Sequence, residues 1–328
     1  MMGKIRWGIL GPGNIARKFA KGLSVIDDAE LTAIGSRSKE KAAMFANEYS
    51  VATSYGSYEE LVMDKNVDVV YIATPHPFHL EHALLCINAG KAVLVEKPMG
   101  VNAKQIREMI AQAQQNKVFL MEAMWTRFLP AIVKVRQWLA ECRIGEVQMV
   151  KADFGFHTDM NPNSRLFDPN LGGGSLLDVG VYTVSFANMV FGISPSQVCG
   201  VAQMGETAVD ERAGILFRYP QGQIAALTCA IRTYIPHNAT IFGTSGSIHI
   251  PNFWRATSAS LKLGDTVVDH FEQPHLSNGY ECEAIEVMNC LRRGNLESAI
   301  MPHSQSLSVV ETMDTLRSQW NLKYPFED

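Results

Sequence analysis

A doubly wound α/β domain with a parallel sheet, followed by an α+β domain built on a mostly antiparallel open sheet, is the architecture the sequence predicts. Three observations lead to it. From Lys4 to Met121, short β-branched runs alternate with longer amphipathic stretches, the pattern of βα units. Beyond residues 122–128, strand-like segments alternate apolar and polar residues between turn signals such as Pro220-Gln221-Gly222, as in an antiparallel sheet. At 328 residues, the chain exceeds one ordinary core and suits two domains, placed at 1–123 and 124–328.

The elements follow in order. Strands are expected over Ile5 to Leu10, Leu31 to Gly35, Val67 to Ala73, Ala92 to Val95 and Val118 to Met121; the near-continuous apolar run at Val67 suits a sheet covered on both faces. Helices are expected between them over Ala16 to Leu23, Lys39 to Tyr49, Pro77 to Ala89 and Ala103 to Asn116. A helical stretch from about Leu129 to Ala140 opens the second half. There Gln148 to Phe154, Ala213 to Tyr219 and Ile224 to Cys229 read as strands, with further strands near Ala239 to Phe242 and Ser247 to Ile250. Helices over roughly Glu281 to Arg293 and Gln305 to Trp320 close the chain.

Composition excludes several functions. A net charge of -4 without a Lys/Arg block offers no footprint for nucleic acid or an anionic membrane. The start lacks the apolar core and cleavage site of an export signal, and no run of about 18 apolar residues is evident, so a cytoplasmic chain is expected. Six scattered cysteines without a Cys-x-x-Cys pair read as reduced structural thiols, and no cluster has metal-ligand spacing, so no metal is expected.

Gly11-Pro12-Gly13-Asn14-Ile15-Ala16 joins the first strand to the first helix, the context a dinucleotide fingerprint requires in a Rossmann domain. Gly11 makes the tight turn, Gly13 lets the backbone approach a pyrophosphate, and Ala16 permits close helix-strand packing. The phosphates would rest on the amides at the positive helix end, around Asn14 and Ile15. The second strand ends in Gly35-Ser36-Arg37-Ser38, where an NAD site usually carries an acid. A guanidinium and hydroxyls suit a 2′-phosphate instead, with Lys41 one helical turn on, so NADP is expected and NAD is second. A solvated loop arginine is the alternative reading of Arg37.

Thr74-Pro75-His76-Pro77-Phe78-His79 follows the third expected strand, where the nicotinamide half would lie; Thr74, His76 and His79 are candidate polar contacts, or a histidine there caps the next helix. Glu96-Lys97-Pro98 closes the next strand. Ligands bind outside the carboxyl ends of parallel strands, which places Glu96 and Lys97 beside the cofactor, although a surface Lys-Pro turn is the plain alternative. Downstream, Gly172-Gly173-Gly174 permits a close backbone approach, and Asp178 and Tyr182 lie four residues apart on one helical face. A helix-start acid and a core aromatic are the alternative for that pair.

The combination resembles the Gfo/Idh/MocA oxidoreductases over essentially the whole chain. The resemblance rests on Gly11-x-Gly13-x-x-Ala16, Thr74-Pro75-x-x-x-His79, Glu96-Lys97-Pro98 and Gly172-Gly173-Gly174-x-Leu176-x-Asp178-x-Gly180-x-Tyr182. Within the family, the chain is most similar to the dimeric dihydrodiol dehydrogenase branch, through Trp125-Thr126-Arg127-Phe128, Asn163 to Pro169 and Ile250 to Trp254. The resemblance implies NADP-dependent hydride transfer at a hydroxyl-bearing carbon of a sugar, D-xylose included, a polyol or a cyclic trans-dihydrodiol. It also implies a homodimer and a cis peptide before Pro98. Many relatives carry histidine where this chain has Tyr182, which moves the expected acid/base from an imidazole to a phenol.

Oxidation of a carbinol needs a group to take the hydroxyl proton. Tyr182 is assigned that role, with the Lys97 ammonium stabilising the phenolate and Asp178 orienting the substrate hydroxyl or Lys97. Trp125, Phe154, Trp254 and Phe271 form an expected aromatic wall for a sugar ring or cyclic diol, unless they are ordinary core, and Arg165 is a further candidate substrate contact. A catalytically silent NAD(P)-binding regulator is the competing function; the presence of Lys97, Asp178 and Tyr182 argues against it.

Overall fold

The computed structural model describes residues 3–327. They form two compact units: residues up to 100 with 104–125 and 275–303, and residues 101–103 with 126–274 and 304 onward.

The first unit carries six parallel strands, β1 (Ile5–Leu10), β2 (Ala29–Gly35), β3 (Thr53–Tyr55), β4 (Val69–Ile72), β5 (Ala92–Glu96) and β6 (Leu120–Ala123). Their order, β3-β2-β1-β4-β5-β6, is that of a dinucleotide-binding Rossmann sheet. Helices α1 (Asn14–Leu23), α2 (Lys39–Tyr49), α3 (Tyr58–Val62), α4 (His79–Asn88) and α5 (Ala103–Asn116) alternate with them. All residues of β4 and β5 are buried, as their apolar runs require for a sheet covered on both faces. The helix starts are written in the sequence: the Ser38 and Ser57 hydroxyls accept the amides of Lys41 and Glu60, capping α2 and α3. The expected Pro77 to Ala89 helix divides, a 3-10 turn over His76–Phe78 preceding α4.

The division of the chain differs from the boundary expected at residue 123. Helix α8 (Tyr280–Arg293) and its flanks, residues 275–303, belong to the first unit. A Cβ on Gly22 of α1 would lie 2.9 Å from the Glu281 amide nitrogen, so only glycine allows this approach. Asn278 Nδ2 donates to Lys18 O at 2.8 Å, tying the same surfaces together.

The second unit opens with α6 (Pro130–Ala140), which has proline in its first turn. Its sheet uses β7 (Val147–His157), β8 (Gln197–Met204), β9 (Asp210–Arg218), β10 (Ile224–Ala230), β11 (Arg232–Ile235), β12 (Ala239–Gly243), β13 (Gly246–Ile250), β14 (Ser258–Leu263) and β15 (Thr266–Glu272). The order is β15-β14-β13-β12-β7-β10-β9-β8, with β11 also on β7. Every pairing is antiparallel except β7 with β10. Helix α7 (Val181–Phe191) packs on β7 and β10, and α6 on β14 and β15. Along β9 every second residue is outward, and Leu216 there stays exposed with Val201, Met149 and Phe242 of β8, β7 and β12. The run Pro169–Phe191 is long and apolar enough to cross a membrane by length and composition, which the expectation from sequence had passed over; 83% of its window is buried inside the protein, as the core of this unit. Helix α9 (His303–Gln319) ends the fold.

Candidate active site

In the first unit the turn after β1 brings Gly11 to φ +91, where a Cβ would press within 3.1 Å of Thr74 Cγ2. Gly13 differs: its Cβ would meet nothing nearer than Ala73 O at 3.9 Å. Its lack of a side chain therefore opens space outside the protein, at an α1 start that has no side-chain cap. Gly13 and Asn14 are exposed, Ile15 is half-buried and Ala16 is fully buried against the sheet. These features fit a pyrophosphate held by backbone amides.

A cavity of about 380 Å³ lies beside the end of β2, lined by Arg37, Tyr58, Thr74, Phe78 and His82 among others. The Arg37 guanidinium sits 5.7 Å over the Phe78 ring, and His82 is edge-on to Tyr58 at 4.6 Å. His82 Nδ1 meets Thr74 Oγ1 at 2.9 Å, and burial, assisted by Arg37, lowers its pKa to about 4. The imidazole is thus neutral at pH 7, leaving Arg37 as the guanidinium of the lining against the carboxylates of Glu59 and Glu81. Ser36 is buried and accepts the Ser38 amide at 3.1 Å. Lys41 lies exposed on α2, outside this lining, because the helix turns its side chain to solvent.

At the ends of β4 and β5 two expectations change. His79 is fully buried, with Nε2 at 2.8 Å from Thr74 O and Nδ1 at 2.9 Å from Pro98 O. Burial pushes its pKa down to about 4, so the neutral ring has one N–H to donate to these two carbonyls; enclosed between two strand ends, it is turned away from a ligand. Glu96 is likewise internal: it accepts from the Tyr71 hydroxyl and, at 3.1 Å, from the Lys97 amide. Burial raises its pKa, the Lys97 charge opposing. His76 is buried, edge-on to His79 at 5.6 Å. Lys97 is half-buried, and its peptide to Pro98 is cis.

In the second unit, the glycine run is dictated by close contacts. Gly174 has φ +115, and a Cβ there would lie 2.2 Å from Asp210 Oδ1. Asp210 is fully buried on β9; Oδ2 accepts the Ser175 hydroxyl at 2.6 Å and the Leu176 amide at 2.7 Å. Burial pushes its carboxyl up to about 6 against those bonds. The helix that Asp210 starts runs one π turn over Leu176–Gly180, where the Val181 amide reaches back to Leu176 O, before α7 continues. Asp178 lies in this turn, its carboxylate accepting from Arg165 Nη2 at 2.8 Å. Arg165, expected as a substrate contact, is thus the partner of Asp178.

Tyr182 is 6% exposed, with its ring 5.3 Å from Phe154 and 6.3 Å from Trp254, while Phe154 and Trp254 stack at 4.9 Å. Two members of the expected wall are therefore together. Trp125 instead stacks on Tyr280 at 4.4 Å within the first unit, and Phe271 lies on edge strand β15 opposite Ala259. Two residues escaped the sequence reading. Asp210 left no signal, because it shares the alternation phase of the exposed Arg212, Gly214 and Leu216 on β9; His237, which lies 4.7 Å from Phe154, left none either.

Residues 5–124 match the oxidoreductase family with the NAD-binding Rossmann fold, and residues 132–249 match the GFO/IDH/MocA C-terminal domain. The chain belongs to this family of oxidoreductases. It is 40% identical to a trans-1,2-dihydrobenzene-1,2-diol dehydrogenase of Mus musculus over 98% of both chains. It is 37% identical to the enzyme of that name from Homo sapiens, again over 98% of each. Among solved structures, a 3-ketoreductase from Actinomadura kijaniata in complex with NADP and TDP-benzene superposes with a TM-score of 0.86 at 25% identity, covering 96% of this chain and 97% of that one. An aldose-aldose oxidoreductase from Caulobacter crescentus shares the fold at a TM-score of 0.88 and 22% identity, over 96% and 97% of the two chains.

Proposed function

We propose that the protein is an NADP-dependent dehydrogenase acting at a hydroxyl-bearing carbon of a sugar, polyol or cyclic trans-dihydrodiol, with Tyr182 as acid/base assisted by Lys97. The observation that carries this is Tyr182 set against Phe154 and Trp254, one turn beyond an Asp178 braced by Arg165. The relatives named for a cyclic diol and the related ketoreductase that binds NADP support the substrate and cofactor classes.

Bound nicotinamide supplies the hydride acceptor. Gly11, Gly13 and the α1 amides would hold the pyrophosphate, Arg37 would take the 2′-phosphate, and Thr74 and His76 would border the nicotinamide side. Tyr182 receives the hydroxyl proton as the carbon loses its hydride, and returns it in the reverse direction. The Lys97 ammonium favours the phenolate form of Tyr182. Asp178 orients the reacting hydroxyl. The protein works in the cytoplasm as a homodimer, paired through the exposed sheet face around Leu216 and Val201.

The test is NADPH formation with D-xylose and with trans-1,2-dihydrobenzene-1,2-diol. Lys97→Met lowers turnover by about a hundredfold or more, while NADP binding, followed by fluorescence, persists. Near-normal turnover of that variant overturns the mechanism.

A further inference from the structure

Beyond α9 the chain turns back at Asn321, whose φ of +54 asparagine tolerates, and the Leu322 amide donates to Arg317 O at 2.9 Å. Leu322 and Tyr324 then lie buried while Lys323 and Pro325 are exposed. A charged fork fixes this segment: Arg317 Nη1 and Nη2 donate to the two carboxylate oxygens of Glu327 at 2.6 and 3.0 Å, and Nη2 donates to Asp314 as well at 2.7 Å. The same guanidinium lies 5.3 Å over the Tyr324 ring, and Phe326 stacks on that ring at 5.4 Å.

The ring so held points at the glycine run of the second unit. The Tyr324 hydroxyl donates to Gly173 O at 2.8 Å. Burial, with Asp210 nearby, holds this phenol well above its usual pKa, so it remains a donor at any working pH. Gly173 in turn is packed on the loop that carries Arg165: its amide donates to Asp168 O at 3.0 Å, and a Cβ on it would lie 2.8 Å from Leu166 O and 3.0 Å from Arg165 O. The next residue, Gly174, gives its amide to Leu166 O at 2.9 Å and accepts the Asp178 amide at 3.4 Å. Both members of the Arg165–Asp178 ion pair therefore take their backbone positions from the two glycines beside the Tyr324 hydroxyl.

We propose that Tyr324 is a positioning residue of the candidate active site: through the Gly173 carbonyl it sets the loop and the turn from which Arg165 and Asp178 meet, and so fixes where the Asp178 carboxylate stands. The proposal deepens the dehydrogenase reading and rests on it, since Asp178 orients the reacting hydroxyl there. A group in that role is sensitive to place, because a shift of about 1 Å costs up to about a hundredfold in rate.

Tyr324→Phe keeps the ring and its packing and removes only the donor. With trans-1,2-dihydrobenzene-1,2-diol, kcat falls about tenfold at a temperature well below unfolding, while the KM for NADP is unchanged. A residue that only holds the fold would lower the unfolding midpoint and leave the kcat of the folded protein as it was. Amide hydrogen exchange read by mass spectrometry gives the second measure: peptides spanning residues 165–178 exchange about tenfold faster in the variant, as loss of one buried hydrogen bond requires, and those of β4 and β5 exchange as in the wild type. Unchanged exchange over 165–178 overturns the proposal, as does faster exchange there with kcat preserved. A wild-type protein inert toward both this diol and D-xylose overturns the dehydrogenase reading instead, and the exchange rates still decide whether Tyr324 holds the turn under Asp178.

Discussion

Replacing Asp210 by asparagine tests how the turn under Asp178 is held. Asp210 Oδ2 accepts from Ser175 and Leu176, while Oδ1, buried against Gly174, has no hydrogen-bond partner among the described residues. An asparagine keeps an acceptor for both donors and cannot ionise. Burial raises the carboxyl pKa from 3.8 to about 6, so its ionisation opposes folding: the penalty is absent below 3.8, grows as pH rises and is complete above 6. At about 1.36 kcal/mol per pKa unit, the full penalty is about 3 kcal/mol, of which about 2 kcal/mol develops between pH 4.5 and 7.5. Neighbouring groups stay neutral across that window, since burial pushes the Cys229 thiol up to about 12 and the Tyr324 phenol well above its usual range. Urea unfolding of both proteins at the two pH values is the assay. The stability of Asp210→Asn relative to the wild type should rise by about 2 kcal/mol from the lower to the higher pH. A difference independent of pH refutes the reasoning, because any constant gain or loss of hydrogen bonding cancels.

Arg37→Ala should raise the KM for NADP by roughly tenfold to a hundredfold, the range of a lost charge-assisted bond, and leave the KM for NAD nearly unchanged; equal effects on the two cofactors refute the 2′-phosphate role. Leu216 faces outward on β9 between Cys199 of β8 and Ala226 of β10. Leu216→Glu should shift sedimentation from dimer to monomer, and a wild-type protein already monomeric at micromolar concentration rules out the sheet-face dimer.

The first unit was readable because its strands are covered on both faces: Val69 to Ile72 and Ala92 to Val95 are apolar without a break. β3 escaped because Thr53–Tyr55 is three half-buried residues without a pattern. β8 and β14 escaped for a related reason, since one face of each is exposed and Ser258, Ser260 and Lys262 interrupt the apolar alternation. At the site, sequence located Lys97, Asp178 and Tyr182 at element ends but could not tell which way a neighbouring side chain turns. Glu96 and His79 occupy the expected positions and point inward, to Tyr71 and to Pro98. The π turn and the left-handed His237 are set by tertiary contacts, with Asp210 and with Gly155, from residues far along the chain.

Helix α8 lies against α1, though more than 250 residues separate Lys18 from Asn278. During synthesis the strands β1 to β6 emerge first, yet the face of α1 at Gly22 stays uncovered until the last sixth of the chain is made. The nucleotide-binding unit thus starts ahead of the second unit yet is among the last parts to finish packing, and its exposed α1 face is the surface a nascent chain must protect from wrong partners.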